Sequence, residues 1–229
     1  IATVDLSTTS GVTSVTNTGS SVVLTVAGMD AGTTASVTNN TAGATFGFKA
    51  AQMTGTTDEA SLTVSNVTGA GANTQTIGAG VEIVNLASTG GVTNTFDPAF
   101  TGSTLNISGG TALTLNGAVN TTFTTINASG STATMTMTSN AAAANSYTGS
   151  SGVDNITLTG GTAGTVSTVS TGAGNDVITF TADLQGASLD TAVAGTNDVI
   201  DGGDGTDTLV GGITELAALT NTATSTSTI

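Results

Sequence analysis

The sequence predicts an all-β chain wound as a parallel β-solenoid, with coils of about 21 residues and a β-roll in its C-terminal part. Three observations predict it. Short apolar runs alternate with Thr and Ser at period two, as at 22–26, 62–64, 112–115 and 133–137, and Gly, Asn and Ser bound them. Such runs are short strands, since β-branched residues fit a pleated, half-buried surface. Asparagines flanked by aliphatic residues recur at Asn66, Asn85, Asn106 and Asn127, separated by 19, 21 and 21 residues. Asp154, Asp176 and Asp198 continue the period at separations of 22. Finally, three Gly-rich turns at 149–156, 172–178 and 202–209 read alike.

Taken in order, residues 1–145 form the Thr/Val-rich part of the solenoid, each coil holding two or three short strands. Stacking at ~4.8 Å, about eleven coils make a rod roughly 50 Å long. No coil can bury its apolar face alone, so stability grows only by stacking. The repeated Asn is expected to form a ladder of side-chain amides along the stack. A small antiparallel sandwich is the alternative for this part, with a junction near 138–144 where Ala141 to Ala144 shift the composition. Residues 146–212 form the roll, and 213–229 a short helix or tail. The stretch 213–219 is the best candidate for two helical turns; no longer segment has a 3.6 period. A three-sided coil and a flattened one fit the period equally.

The turns carry the candidate chemistry. Eight of the fifteen acidic residues lie between Asp154 and Asp207. Residues 202–209, Gly-Gly-Asp-Gly-Thr-Asp-Thr-Leu, match the calcium nonapeptide G-G-x-G-x-D-x-U-x in full, and the other two turns match it loosely. Glycine lets the backbone turn at positive φ and brings carbonyl oxygens near an ion. The aspartate supplies a hard anionic oxygen. Calcium takes 6–8 oxygens, more than one turn offers, so two stacked turns must share an ion. The expected Ca2+ ligands are Asp154, Asp176, Asp198, Asp201, Asp204 and Asp207, with backbone carbonyls of Gly172, Gly174, Gly203 and Gly205. Asp154, Asp176 and Asp198 are expected along one edge, with Asp207 on a neighbouring turn. The plain alternative at each is an Asp-capped loop without metal.

Composition narrows the partners. With a net charge of −14, one Lys and no Arg or His, the chain cannot neutralise a phosphate backbone, so nucleic acid is excluded as a partner. Anionic membrane surfaces repel it too, and no apolar run approaches the ~20 residues that span a bilayer. Catalysis finds no His base, Cys nucleophile or Arg clamp, so no enzyme is expected. Asp58 and Glu59 are neighbours in a turn, with side chains pointing apart. The absence of Cys suits export as an unfolded chain. Phe46, Phe48, Phe96, Phe100 and Phe123 are expected in the core, and Lys49 is expected to pair with an acid on a neighbouring molecule. Beginning at Ile1 with no visible signal peptide, the chain is expected to be a segment of a longer polypeptide.

These nonapeptides, the Thr/Ala/Gly/Val/Asn composition and residues 78–86 (Gly-Ala-Gly-Val-Glu-Ile-Val-Asn-Leu) resemble bacterial surface-layer proteins of the repeats-in-toxin type. The resemblance covers the whole chain in composition but only about 78–90 and 149–212 in motif. It implies type I secretion, then calcium-triggered folding and self-assembly into a lattice of like subunits on the cell exterior. By the same carry-over Asp154, Asp176 and Asp207 are calcium ligands, with Asp198 following. The repeats are fewer and less regular than in haemolysin-type toxins. The region that grips polysaccharide or lipopolysaccharide is not recognisable here, nor is a C-terminal secretion signal. A stalk or spacer of a large adhesin of the same secretion class is the alternative reading. The calcium roll of a secreted protease or lipase comes third.

Overall fold

The computed structural model describes residues 1–69, 73–140, 146–159, 168–180 and 199–211. In chain order the early strands are β1 (Ala2–Asp5), β2 (Ser14–Thr18), β3 (Leu24–Met29), β4 (Thr34–Thr38), β5 (Ala44–Phe48), β6 (Glu59–Ser65) and β7 (Thr74–Ile77). The middle strands are β8 (Ile83–Thr89), β9 (Asn94–Ala99), β10 (Thr104–Gly109), β11 (Leu113–Val119), β12 (Thr125–Ser131) and β13 (Met135–Asn140). The last are β14 (Ser146–Thr148), β15 (Asp154–Thr159), β16 (Thr168–Ser170), β17 (Val177–Phe180), β18 (Val199–Asp201) and β19 (Thr208–Val210).

Odd-numbered strands form one sheet of ten and even-numbered strands another of nine, so the chain alternates between two faces. Every pairing is parallel, which makes the fold a β-solenoid, flattened between two sheets. That resolves the choice of coil shape and sets aside the antiparallel sandwich. The described strands on either side of the expected junction stack on one another, β13 on β15 and β12 on β14. Thr104 faces Ile83 on one side and Thr125 on the other, a winding of 21 residues each way. Two windings of the ten-stranded sheet are longer: Ala44 pairs with Gln75, and Val177 with Thr208, each 31 residues on. The first of these holds the one helical turn among the described residues, a 3-10 turn at Ala50–Gln52. The expected helix at 213–219 lies outside the described residues.

Period two places alternate residues inward, and the register stacks them into columns. Ala60, Val84, Leu105, Ile126, Tyr147, Val169 and Ile200 form one such column in the nine-stranded sheet. Met137, Ile156, Ile178 and Leu209 form one in the sheet opposite. Phe46, Phe96, Phe100 and Phe123 are fully buried, and the Phe96 and Phe100 rings pack with centroids 6.2 Å apart at 55°. Phe48 is only partly buried. Each buried Leu, Ile or Phe contributes about 1.5–3 kcal/mol, but only once the next winding covers it.

The amide ladder is shorter than the period implied. Asn85, Asn106 and Asn127 are in register, and Asn106 Nδ2 donates to Asn85 Oδ1 at 2.8 Å. Asn66 is not among them, because the residue beside Asn85 is Ser61. Instead Asn66 turns a corner at φ 54, stacked on Asn39 at φ 53, and its Nδ2 donates to Asn39 Oδ1 at 3.0 Å. Asparagine tolerates this left-handed geometry, so one residue type serves two columns.

Candidate metal centre

The three Gly-rich turns lie on top of one another at one corner of the solenoid. Gly172 and Gly203 both have positive φ, and a Cβ on Gly203 would sit 1.8 Å from Gly172 O. One on Gly205 would sit 1.7 Å from Gly174 O, so only glycine permits this approach. Hydrogen bonds knit the turns: Asp204 N donates to Gly172 O at 2.8 Å and Gly174 N to Asp204 O at 2.9 Å.

Each turn delivers its aspartate to the start of a strand in the ten-stranded sheet, pointing inward. Asp154 and Asp176 are fully buried and Asp207 nearly so. They form a ladder. Asp154 N donates to Asp176 Oδ1 at 2.8 Å, and Asp176 N donates to Asp207 Oδ1 at 3.0 Å. The place beside Asp176 therefore belongs to Asp207, 31 residues on, because the last winding is long. The even spacing of 22 pointed to Asp198, which lies outside the described residues.

The second carboxylate oxygens differ along the ladder. Asp154 Oδ2 accepts from Ser150 N at 2.8 Å and Ser150 Oγ at 3.2 Å, while Tyr147 Oη donates to Asp154 Oδ1 at 3.1 Å. Asp176 Oδ2 and Asp207 Oδ2 are buried with no hydrogen-bond partner. Burial pushes the Asp154 carboxyl up to about 6, against the lowering effect of its hydrogen bonds from Ser150 and Tyr147. Burial, with the Asp154 charge beside it, holds the Tyr147 hydroxyl well above its ordinary value.

Asp201 and Asp204 sit apart from the ladder. Asp201 ends β18 in the other sheet, exposed, its Oδ1 accepting from Gly203 N at 3.0 Å. Asp204 is exposed at the turn tip, bridged to Ala173 of the turn below. Among the described residues no three acidic side chains converge on one point. Sequence reasoning missed Tyr147, Ser150 and Thr171. Tyr147 was legible as the residue 21 after Ile126 in an inward column. Thr171 stands where the motif has its first glycine, and its hydroxyl donates to Gly202 O at 2.9 Å.

Elsewhere, Lys49 pairs within its own chain rather than with a neighbour. Its Nζ lies 2.7 Å from Asp30 Oδ1 and also donates to Thr9 O, tying three successive windings together. The Lys49 ammonium holds the Asp30 carboxyl below its ordinary value. Asp58 and Glu59 hold different partners, but only Asp58 lies in the loop, since Glu59 opens β6: Asp58 Oδ2 accepts from Gly55 N and Glu59 Oε2 from Asn85 Nδ2. No family model, curated protein or solved structure matches this chain.

Proposed function

We propose that this chain is a structural segment of a secreted bacterial surface layer, whose last windings are locked by calcium and which self-assembles with like subunits outside the cell. The observation that carries the calcium part is the pair of buried, unpartnered oxygens on Asp176 and Asp207. A buried carboxylate with an unmade bond costs several kcal/mol, and a divalent cation offsets both the charge and the missing donor. Calcium suits the donor set, which is all oxygen: carboxylates from two stacked turns and glycine carbonyls such as Gly172 O and Gly174 O. Asp154, whose oxygens already have three protein donors, is the weaker ligand of the ladder. No redox or proton-transfer role is proposed for these groups.

Assembly rests on the resemblance and on form. A solenoid whose nine-stranded sheet sets Thr, Ser and Asn on its outer face, as β8, β10 and β12 do, is a building block rather than a reaction vessel. The test is a calcium titration of the chain followed by circular dichroism and electron microscopy together. Gain of β signal with two-dimensional sheets of protein is expected. Rods joined only end to end favour the adhesin stalk instead, and a fold and assembly indifferent to chelation overturn the proposal.

A further inference from the structure

We propose that Asn116 is a site of spontaneous deamidation, set in the one stretch of β11 where the sheet releases its backbone. Asn116 and Gly117 are the only Asn-Gly pair in the chain. The residue after an asparagine decides its reactivity, because its backbone nitrogen must reach the side-chain carbonyl carbon, and glycine offers no Cβ to obstruct the approach. Regular sheet normally prevents the reaction by engaging that nitrogen in a ladder bond and holding the chain extended. Here both ladders lapse. Pairing of β11 with β9 stops at Leu115 and Phe96, just before Pro98, which has no N–H. Pairing with β13 jumps from Thr114 and Thr136 to Ala118 and Thr138, so three residues of β11 bulge past one of β13. Asn116 is exposed at the crest of this bulge.

The chemistry needs only water. Gly117 N, losing its proton, bonds to Asn116 Cγ, and the side-chain nitrogen leaves as ammonia to give a five-membered succinimide. Water then opens the ring at either carbonyl, yielding aspartate or isoaspartate, with no oxidation or reduction. Each event adds one negative charge to a chain already at −14. The isoaspartate product also lengthens the β11 main chain by one methylene at a point that already bulges. Asn85 and Asn106 are followed by Leu86 and Ile107, whose side chains obstruct the same attack and which pair with each other in the unbroken β8–β10 ladder, although β10 shifts register against β12 at Ile107.

The experiment ages the folded, calcium-loaded chain in mildly alkaline buffer at physiological temperature. Peptide mapping by mass spectrometry locates the exchange of NH2 for OH, and isoaspartyl methyltransferase confirms the isomer. Asn116 is expected to convert roughly tenfold or more faster than exposed Asn120, which precedes a threonine, because proximity and orientation govern intramolecular attack. A Cβ at Gly117 would meet only Pro98 Cδ at 3.6 Å, an ordinary contact, so Gly117→Ala keeps the fold while slowing conversion at Asn116. Conversion spread evenly over the asparagines overturns the proposal. So does an Asn116 that reacts more than about tenfold slower in the folded chain than in urea, since the sheet would then be withholding the geometry.

Discussion

One column of the ten-stranded sheet carries two chemistries. In the middle windings it reads Asn94, Leu113 and Met135; in the last three it reads Asp154, Asp176 and Asp207. Asn94 is completed by its own chain. Its Nδ2 donates to Ser88 Oγ and Thr89 O at 2.9 Å, and its Oδ1 accepts from Val67 N at 2.8 Å. Leu113 and Met135 need no polar partner and are buried outright. The aspartates fill the same place in the fold but leave two oxygens unanswered. Within this column the middle windings are thus complete in themselves, and on the proposed reading the last two aspartates await an ion. Elsewhere Asn17 Nδ2, Asn40 Nδ2 and Gln75 Oε1 are buried without partners as well, but as neutral groups rather than carboxylates. Lys49 makes the same point near the N-terminal end, where a tethered ammonium serves the acid Asp30 without any free ion.

The largest effect is expected from exchanging the two chemistries. Asn94→Asp replaces an amide that faces three acceptors with a carboxylate at a fully buried position. A loss of about 3–5 kcal/mol at neutral pH is expected, since this strands an unpaired buried charge. Urea unfolding measures it, and added calcium should not recover it. Recovery by calcium would show that the column, not the Gly-rich turn, makes the ion site.

Acidity separates the two regions next. The Asp154 carboxyl is raised in the folded state, so protonation favours the fold. Its contribution is fully present below the unfolded value near 3.8 and is lost as pH rises through about 6. In chelator, the last windings should therefore lose about 2 kcal/mol between pH 4 and 7, most of the free-energy equivalent of that displacement. Hydrogen exchange resolved by segment reads this directly. The windings before 140 should keep their protection, and Asp154→Asn should flatten the dependence. Protection that falls equally along the whole chain would mean that the solenoid unfolds as one unit.

How much of this was readable in advance follows from what each signal encodes. Alternation and spacing gave the parallel solenoid, because a fixed repeat and a period of two leave few other ways to bury Val, Ile and Leu. The glycines gave the stacked turns, since Gly203 and Gly205 leave no space for any other residue. Register was less legible. A period counts residues and is blind to insertions, so the 31-residue winding moved the ladder from Asp198 to Asp207. The same blindness put Asn66 into a ladder it does not join. Hydrogen-bond completion was invisible, because Ser150 and Tyr147 reach Asp154 only through the turn geometry. That completion is what distinguishes Asp154 from Asp176.

At Asp176 the sign of the effect depends on calcium. Asp176→Asn keeps an acceptor for Asp154 N but removes the charge beside Asp154 and Asp207. In chelator the variant should be more stable than the parent, by about 1–3 kcal/mol, the scale of an unmade bond to a buried polar group. With calcium in excess the order should invert, because an ion at about 100 times its dissociation constant adds about 2.7 kcal/mol to the parent alone. Paired melting curves with and without calcium test it. A variant weaker under both conditions would make the Asp176 carboxylate an ordinary structural acceptor.

The smallest effect belongs to the middle windings. Asn106 donates to Asn85 Oδ1 at 2.8 Å on a partly buried face, with Asn127 next in register. Asn106→Ala removes that rung and leaves Asn85 Oδ1 free to find water, so about 0.5–1.5 kcal/mol should be lost. The sharper expectation is that the loss is the same in calcium and in chelator, since the rung lies several windings from the aspartates. A cycle pairing Asn106→Ala with Asp176→Asn should then show additivity within about 0.5 kcal/mol. Coupling beyond that would carry cation dependence up the stack, through the shared apolar column that runs from Leu105 to Val169. The independence of the middle windings from the aspartates would then be a matter of degree set by stacking, as nearest-neighbour terms propagate along a solenoid.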